Sequence, residues 1–95
     1  MRVDVTGTDI ARYSIDLDDS ERISGFARIT EITLFGSEKH YHVSCELKEE
    51  YETTCERKEV TLSKTKAEEL FEKYKEVIRR FIVKKLEEKM TTVKN

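Results

Sequence analysis

The 95 residues carry 20 Asp and Glu against 18 Lys and Arg, a formal net charge of −2, with 37% apolar residues, three glycines and no proline. That length suits one domain with one core and excludes two independent cores. Charge at 40% of positions raises disorder as an alternative, and the strand and helix spacing of the apolar residues along most of the chain excludes it.

From the N-terminus, Val3 and Val5 alternate with polar neighbours, and Thr6-Gly7-Thr8-Asp9 reads as a turn that closes a short first strand. Ala11, Tyr13, Ile15 and Leu17 then mark one face of a second strand, broken by Asp18-Asp19-Ser20-Glu21. A long third strand covers roughly 22–35. A hairpin centred on Ser20 sets Leu17 opposite Ile23, Ile15 opposite Gly25, Tyr13 opposite Ala27 and Ala11 opposite Ile29, all on one face. Past Ile29 the apolar parity switches to Ile32 and Leu34. The switch predicts a β-bulge near Thr30-Glu31, or else a strand covered on both faces.

Gly36-Ser37-Glu38-Lys39 supplies the next turn. Tyr41, Val43, Cys45 and Leu47 then alternate with His40, His42, Ser44 and Glu46, the cleanest strand pattern in the chain. Lys48-Glu49-Glu50 turns into a fifth strand from about Thr53 to Leu62, whose Glu56-Arg57-Lys58-Glu59 has the charged look of a protected edge. A hairpin centred on Glu50 puts Cys45 across from Cys55, a separation that suits a disulfide, although a reducing compartment favours two free thiols. The same register leaves Val60 and Leu62 on the wrong face and so calls for a second irregularity.

From Thr65 the period becomes helical. Thr65 with Glu68 fits a capping box, and Ala67, Leu70, Phe71, Tyr74, Val77, Ile78, Phe81, Leu86 and Met90 recur at three- and four-residue steps. The expected order is β-β-β-β-β-α. This is an α+β fold: an antiparallel β-meander of four to five strands, with one long C-terminal amphipathic helix packed on one face. The sheet spans about 2–62, the helix about 65–90 and a frayed tail 91–95, as one domain over 1–95.

A helix from 66 to about 90 is roughly 37 Å long at about 1.5 Å per residue. Strands of six to eight residues reach only about 20–27 Å, so about two helical turns overhang the sheet at the C-terminal end. There Phe81, Ile82 and Val83 are consecutive and do not all face one core; with Leu86 and Met90 they form a candidate self-association stripe, and a homodimer is expected.

Charge is unevenly divided. Residues 1–60 hold 14 Asp and Glu against 8 Lys and Arg, and residues 61–95 hold 10 Lys and Arg against 6 Glu. Complementarity between the two halves accounts for this, and so does a partner-binding surface. The acidic loops offer Asp18, Asp19, Glu49 and Glu50 as partner-binding residues, while Arg79, Arg80, Lys84 and Lys85 are the alternative, a basic helix flank that tracks phosphates.

MRVDVTGTDI lacks the apolar core of a secretory signal, and the longest apolar run, Phe81-Ile82-Val83, is far short of a membrane span. A cytoplasmic location, in a cell or an infected host, is therefore expected. His40, His42, Cys45 and Cys55 have ligand chemistry but match no common zinc spacing. Asp16-x-Asp18-Asp19 lacks the glycine and glutamate of a calcium loop. No nucleophile elbow or phosphate-cradling loop occurs, so no enzyme activity, cofactor or metal is expected. What remains is a non-enzymatic protein-binding module that modulates or inhibits another macromolecule; the alternative is a nucleic-acid-binding protein using the basic helix flank. In outline, small and acidic on one side with no motif, the chain is similar to virus- or mobile-element-encoded inhibitors of host defence proteins.

Overall fold

The computed structural model describes the backbone of residues 3–16, 21–34, 38–50 and 52–93, with side chains for 7–16, 21–33, 38–50 and 52–88. Four strands, β1 (Val3–Asp16), β2 (Arg22–Leu34), β3 (Glu38–Glu49) and β4 (Glu52–Thr61), precede one helix, α1 (Lys64–Val93). They form an antiparallel meander in the order β1-β2-β3-β4, an α+β fold with the helix packed across one face.

One strand fewer is present than the full chain-order reading expects, because the turn predicted at Thr6-Gly7-Thr8-Asp9 is absent. β1 runs through it as a single strand of 14 residues. Val5 pairs with Ile32 and Gly7 with Glu31, so Thr6 is the extra residue of a β-bulge. The same bulge answers the parity switch in β2. It lets Val3 and Val5 stand opposite Leu34 and Ile32, while β2 itself pairs with β3 without a break from Ile23 to Leu34. The irregularity predicted near Thr30-Glu31 therefore lies in the neighbouring strand. A bulge in central β2 would disturb two hydrogen-bonded ladders, whereas one in edge strand β1 disturbs one.

The hairpin registers are displaced from those expected. Ile15 pairs with Ile23, Tyr13 with Gly25 and Ala11 with Ala27, two residues from the predicted alignment. A two-residue shift keeps every side chain on its face. It also sets Asp16 opposite Arg22, whose side chains approach to 3.5 Å, an opposite-charge cross-strand pair in place of the Asp18–Arg22 pairing of the predicted register. At the second hairpin Glu49 pairs with Glu52, leaving a two-residue turn in which Glu50 takes the left-handed φ of 56°. A bulge at Thr54 then follows, so Cys55 faces Leu47 and Cys45 faces Arg57. The predicted Cys45–Cys55 alignment is overturned by that turn and bulge, and both thiols are free. No second irregularity brings Val60 and Leu62 inward: they are 57% and 63% exposed.

The core forms where small residues let the helix approach. Tyr41, Val43, Cys45 and Leu47 of β3 are all buried on the inner face, as their alternation predicts, together with Ile23 and Ala27 of β2. Ala67, Tyr74 and Ile78 of α1 close over them, with Leu70, Phe71, Val77, Phe81 and Ile82 packed around the margin. Gly25 is the point of closest contact: a Cβ there would lie 2.9 Å from Ile78 Cγ2 and 3.0 Å from the Glu46 carbonyl oxygen.

The helix starts earlier than the T-x-x-E reading places it. Ser63 is the cap: its Oγ accepts from the Lys66 amide at 3.2 Å, and its carbonyl accepts from the Ala67 amide at 3.0 Å. Strands of 10 to 14 residues replace the six to eight expected, but the helix is also longer, at 30 residues. Lys85 Nζ lies 2.9 Å from Glu49 at the end of β3, and the helix continues to Val93. That leaves about 12 Å, roughly two turns, beyond the sheet end. The molecule is accordingly elongated, 61 × 23 × 16 Å.

Candidate functional site

The strand alternation that buries one face of the sheet leaves the other without a covering layer among the described residues. Its residues fall in cross-strand rows. Arg12, Phe26, Glu46 and Glu56 form one; Ile10, Arg28, Ser44 and Lys58 form the next; and Thr8, Thr30, His42 and Val60 the one after. Ile10 is 41% exposed here and Val60 57%, so apolar surface meets solvent.

Charge on this face sorts into two groups. Three carboxylates have a cation beside them, Asp16 with Arg22 at 3.5 Å, Glu46 with Lys48 at 3.5 Å and Glu56 with Lys58 at 3.0 Å, while Glu38 lies 3.7 Å from the His40 imidazole. Glu46 also accepts from the Thr53 hydroxyl at 2.8 Å. Arg12 and Arg28 are different. Their guanidinium carbons lie 5.8 and 5.3 Å from the centre of the Phe26 ring, and among the described residues neither has a carboxylate within ion-pair distance. Phe26 is half-buried between two exposed cations, an arrangement that holds both guanidiniums by their attraction to the ring quadrupole while leaving their N–H donors to solvent. Beside them a shallow basin of about 370 Å³, bordered by Ser14, Arg22, Ser24, Glu46, Lys48 and Glu50, opens onto the same face.

A second basin, of about 480 Å³, lies on the helix side between β1 and the start of α1, with Ile29, Tyr41 and Phe71 beneath Asp9, Glu31, Glu68 and Glu72. Two of these carboxylates are already paired: Glu31 with Lys39 at 3.2 Å and Glu72 with Lys75 at 2.6 Å.

The residues singled out from the sequence are placed as follows. Asp18, Asp19 and the Asp16-x-Asp18-Asp19 motif beyond Asp16 lie outside the described residues. Glu49 is tied to Lys85, whose pKa is raised above its ordinary 10.5, first by that hydrogen bond and against the pull of burial; Glu50 is exposed at the turn. Of the self-association stripe, Phe81 and Ile82 are packed against the chain's own core, Leu86 is half-buried and Val83 is 50% exposed. The Met90 side chain lies outside the described residues.

On the basic flank, Arg79 lies 5.5 Å over the Tyr13 ring and donates to its hydroxyl at 3.2 Å, pinning α1 to β1. Arg79 and Arg80 both reach Glu76, at 3.4 and 3.3 Å. Within this set only Lys84 has no ion-pair partner among the described residues, so acidic neighbours interrupt the flank. His40 and His42 belong to the outer face and Cys45 to the inner, and no group of three or more His, Cys, Asp or Glu among the described residues is placed to hold a metal ion. No helix among them is long and apolar enough to cross a membrane.

Sequence reasoning missed the Arg12–Phe26–Arg28 cluster. Its signal was present, since Phe26 and Arg28 share one parity of β2, but Arg12 joins them only once the register across the first hairpin is known. Family models, curated proteins and solved structures all yield no match to the chain.

Proposed function

We propose that this domain is a non-enzymatic protein-binding module that modulates its partner by occupying part of the partner's surface, and that it does so through the uncovered sheet face. The observation that carries the reading is Arg12 and Arg28, without a carboxylate partner among the described residues, flanking Phe26 on a face that also exposes Ile10 and Val60. Arg and aromatic side chains are enriched at the energetic centres of protein interfaces, and exposed apolar neighbours add area that loses water on docking. The basic helix flank supports the nucleic-acid reading less well, because Arg79, Arg80 and Lys85 are each held by an acidic or aromatic neighbour.

The experiment is affinity capture from lysate with the tagged wild-type chain and with Phe26→Asp combined with Val60→Asp, each with and without nuclease. A stoichiometric protein that survives nuclease and is absent from the double variant is the expected result. Partners lost on nuclease treatment, or captured equally by the variant, would refute this assignment.

A second reading rests on its own observation. The half-exposed Val83, just before the overhanging end of α1, supports self-association of two copies through the C-terminal half of the helix.

A further inference from the structure

Resting on the reading of the outer face as a protein-docking surface, we infer that the segment it receives is extended and acidic on the side it presents: carboxylates at alternate positions directed to Arg12 and Arg28, with their aliphatic stems over Phe26. Charge complementarity carries this. Three of the four carboxylates placed on the face by register each have a cation at 3.5 Å or less, so a partner's cations would have to displace an existing contact. Among the described residues the two guanidiniums at Phe26 have no such contact to displace. A guanidinium presents a planar fork of donors that matches a carboxylate with two parallel hydrogen bonds, and its hold on an aromatic ring leaves that fork available.

Geometry sets the spacing. Arg12 stands directly opposite Phe26, and Arg28 is two residues along β2 on the same face. A strand advances about 6.6 Å over two residues, so an extended segment with acids at alternate positions meets both cations in register. Ile10, paired with Arg28, continues the apolar contact, and the basin beside Arg12 leaves room for a side chain at the segment's end. A single-stranded nucleic acid shares the negative charge, but it gains from successive large stacking surfaces, and Phe26 is the one Phe, Tyr or Trp ring that register places on this face among the described residues, with the smaller imidazoles of His40 and His42 lying further along it. Exposed Ile10 and Val60 likewise suit an apolar side chain better than phosphate.

The test is fluorescence anisotropy on the intact chain with three labelled probes: a peptide alternating Glu and Leu, one alternating Lys and Leu, and an oligothymidylate. The Glu–Leu peptide is expected to bind. Arg12→Gln and Arg28→Gln should each weaken it by about tenfold, with circular dichroism melts confirming that both variants fold. Binding of the Glu–Leu peptide that Ile10→Asp abolishes but the two arginine variants leave intact would overturn the acidic assignment while the docking reading stands. Arginine-dependent binding of the oligothymidylate in place of the peptide would overturn both. Failure of all three probes to bind at about 100 µM would overturn the acidic assignment, leaving the docking face to the capture experiment.

Discussion

Gly25 shows how much of this core depends on one missing methyl group. Ile78 from the helix, Leu47 from β3 and the Glu46 carbonyl close on it from three sides, at 2.9 to 3.0 Å from where a Cβ would sit. A backbone oxygen among them has little freedom to yield. Gly25→Ala should therefore destabilise the fold by about 1–3 kcal/mol, despite the small gain an alanine brings by restricting the unfolded chain. Thermal melting checks this; for a domain of this size the midpoint falls by about 4–8 °C per kcal/mol. Tyr74 and Cys45 make a different residue-scale case. Burial first, then neighbouring negative charge, pushes the pKa of each upward, Tyr74 from its ordinary 10.0 and Cys45 from 9.0. An acid whose folded pKa is raised keeps its proton in the native state after the unfolded chain has lost it. The stability is thus intact below about pH 9 and falls as pH rises through 9 and 10. Denaturant midpoints between pH 8 and 11 should decline for wild type and less steeply for Tyr74→Phe, which keeps the ring and removes the proton.

At the scale of elements, the alternation in β3 and the periodicity of α1 were legible because each reflects burial against a single partner layer. The registers were not. They depend on where Thr6 and Thr54 are extruded, and an extruded threonine looks like any other in the sequence. The same limit concealed the Arg12–Phe26–Arg28 cluster, which exists only as a consequence of register. The helix start was misread for a related reason: Thr65-x-x-Glu68 satisfies the capping pattern, but Ser63 is already turning, with its amide bonded to the Thr61 hydroxyl at 3.1 Å. Ser63→Ala should lower stability by about 1 kcal/mol, as loss of a helix cap does, and Thr65→Ala should lie within about 0.5 kcal/mol of wild type. Urea titration of the two variants discriminates the caps, and a larger loss at Thr65 would restore the capping box.

The whole molecule is long and thin, with the helix projecting past the sheet. If two copies join through the C-terminal half of α1, where Val83 is half-exposed, Val83→Asp should yield a folded monomer from a wild-type dimer by sedimentation velocity. Monomeric wild type at high micromolar concentration would remove the self-association reading. The strand order has a further consequence. Every strand pairs with its neighbour in the chain, so the sheet assembles from local hairpins with little loop-closure entropy, and rapid pairing is expected. The helix that covers Tyr41, Val43, Cys45 and Leu47 leaves the ribosome after all four strands. During synthesis the sheet thus exists with its apolar face bare, a state prone to clumping with other nascent chains. A fragment ending at residue 62 should accumulate in the insoluble fraction and regain solubility when residues 63–95 are supplied as a separate peptide. The helix would then be acting as an internal chaperone for the sheet it completes.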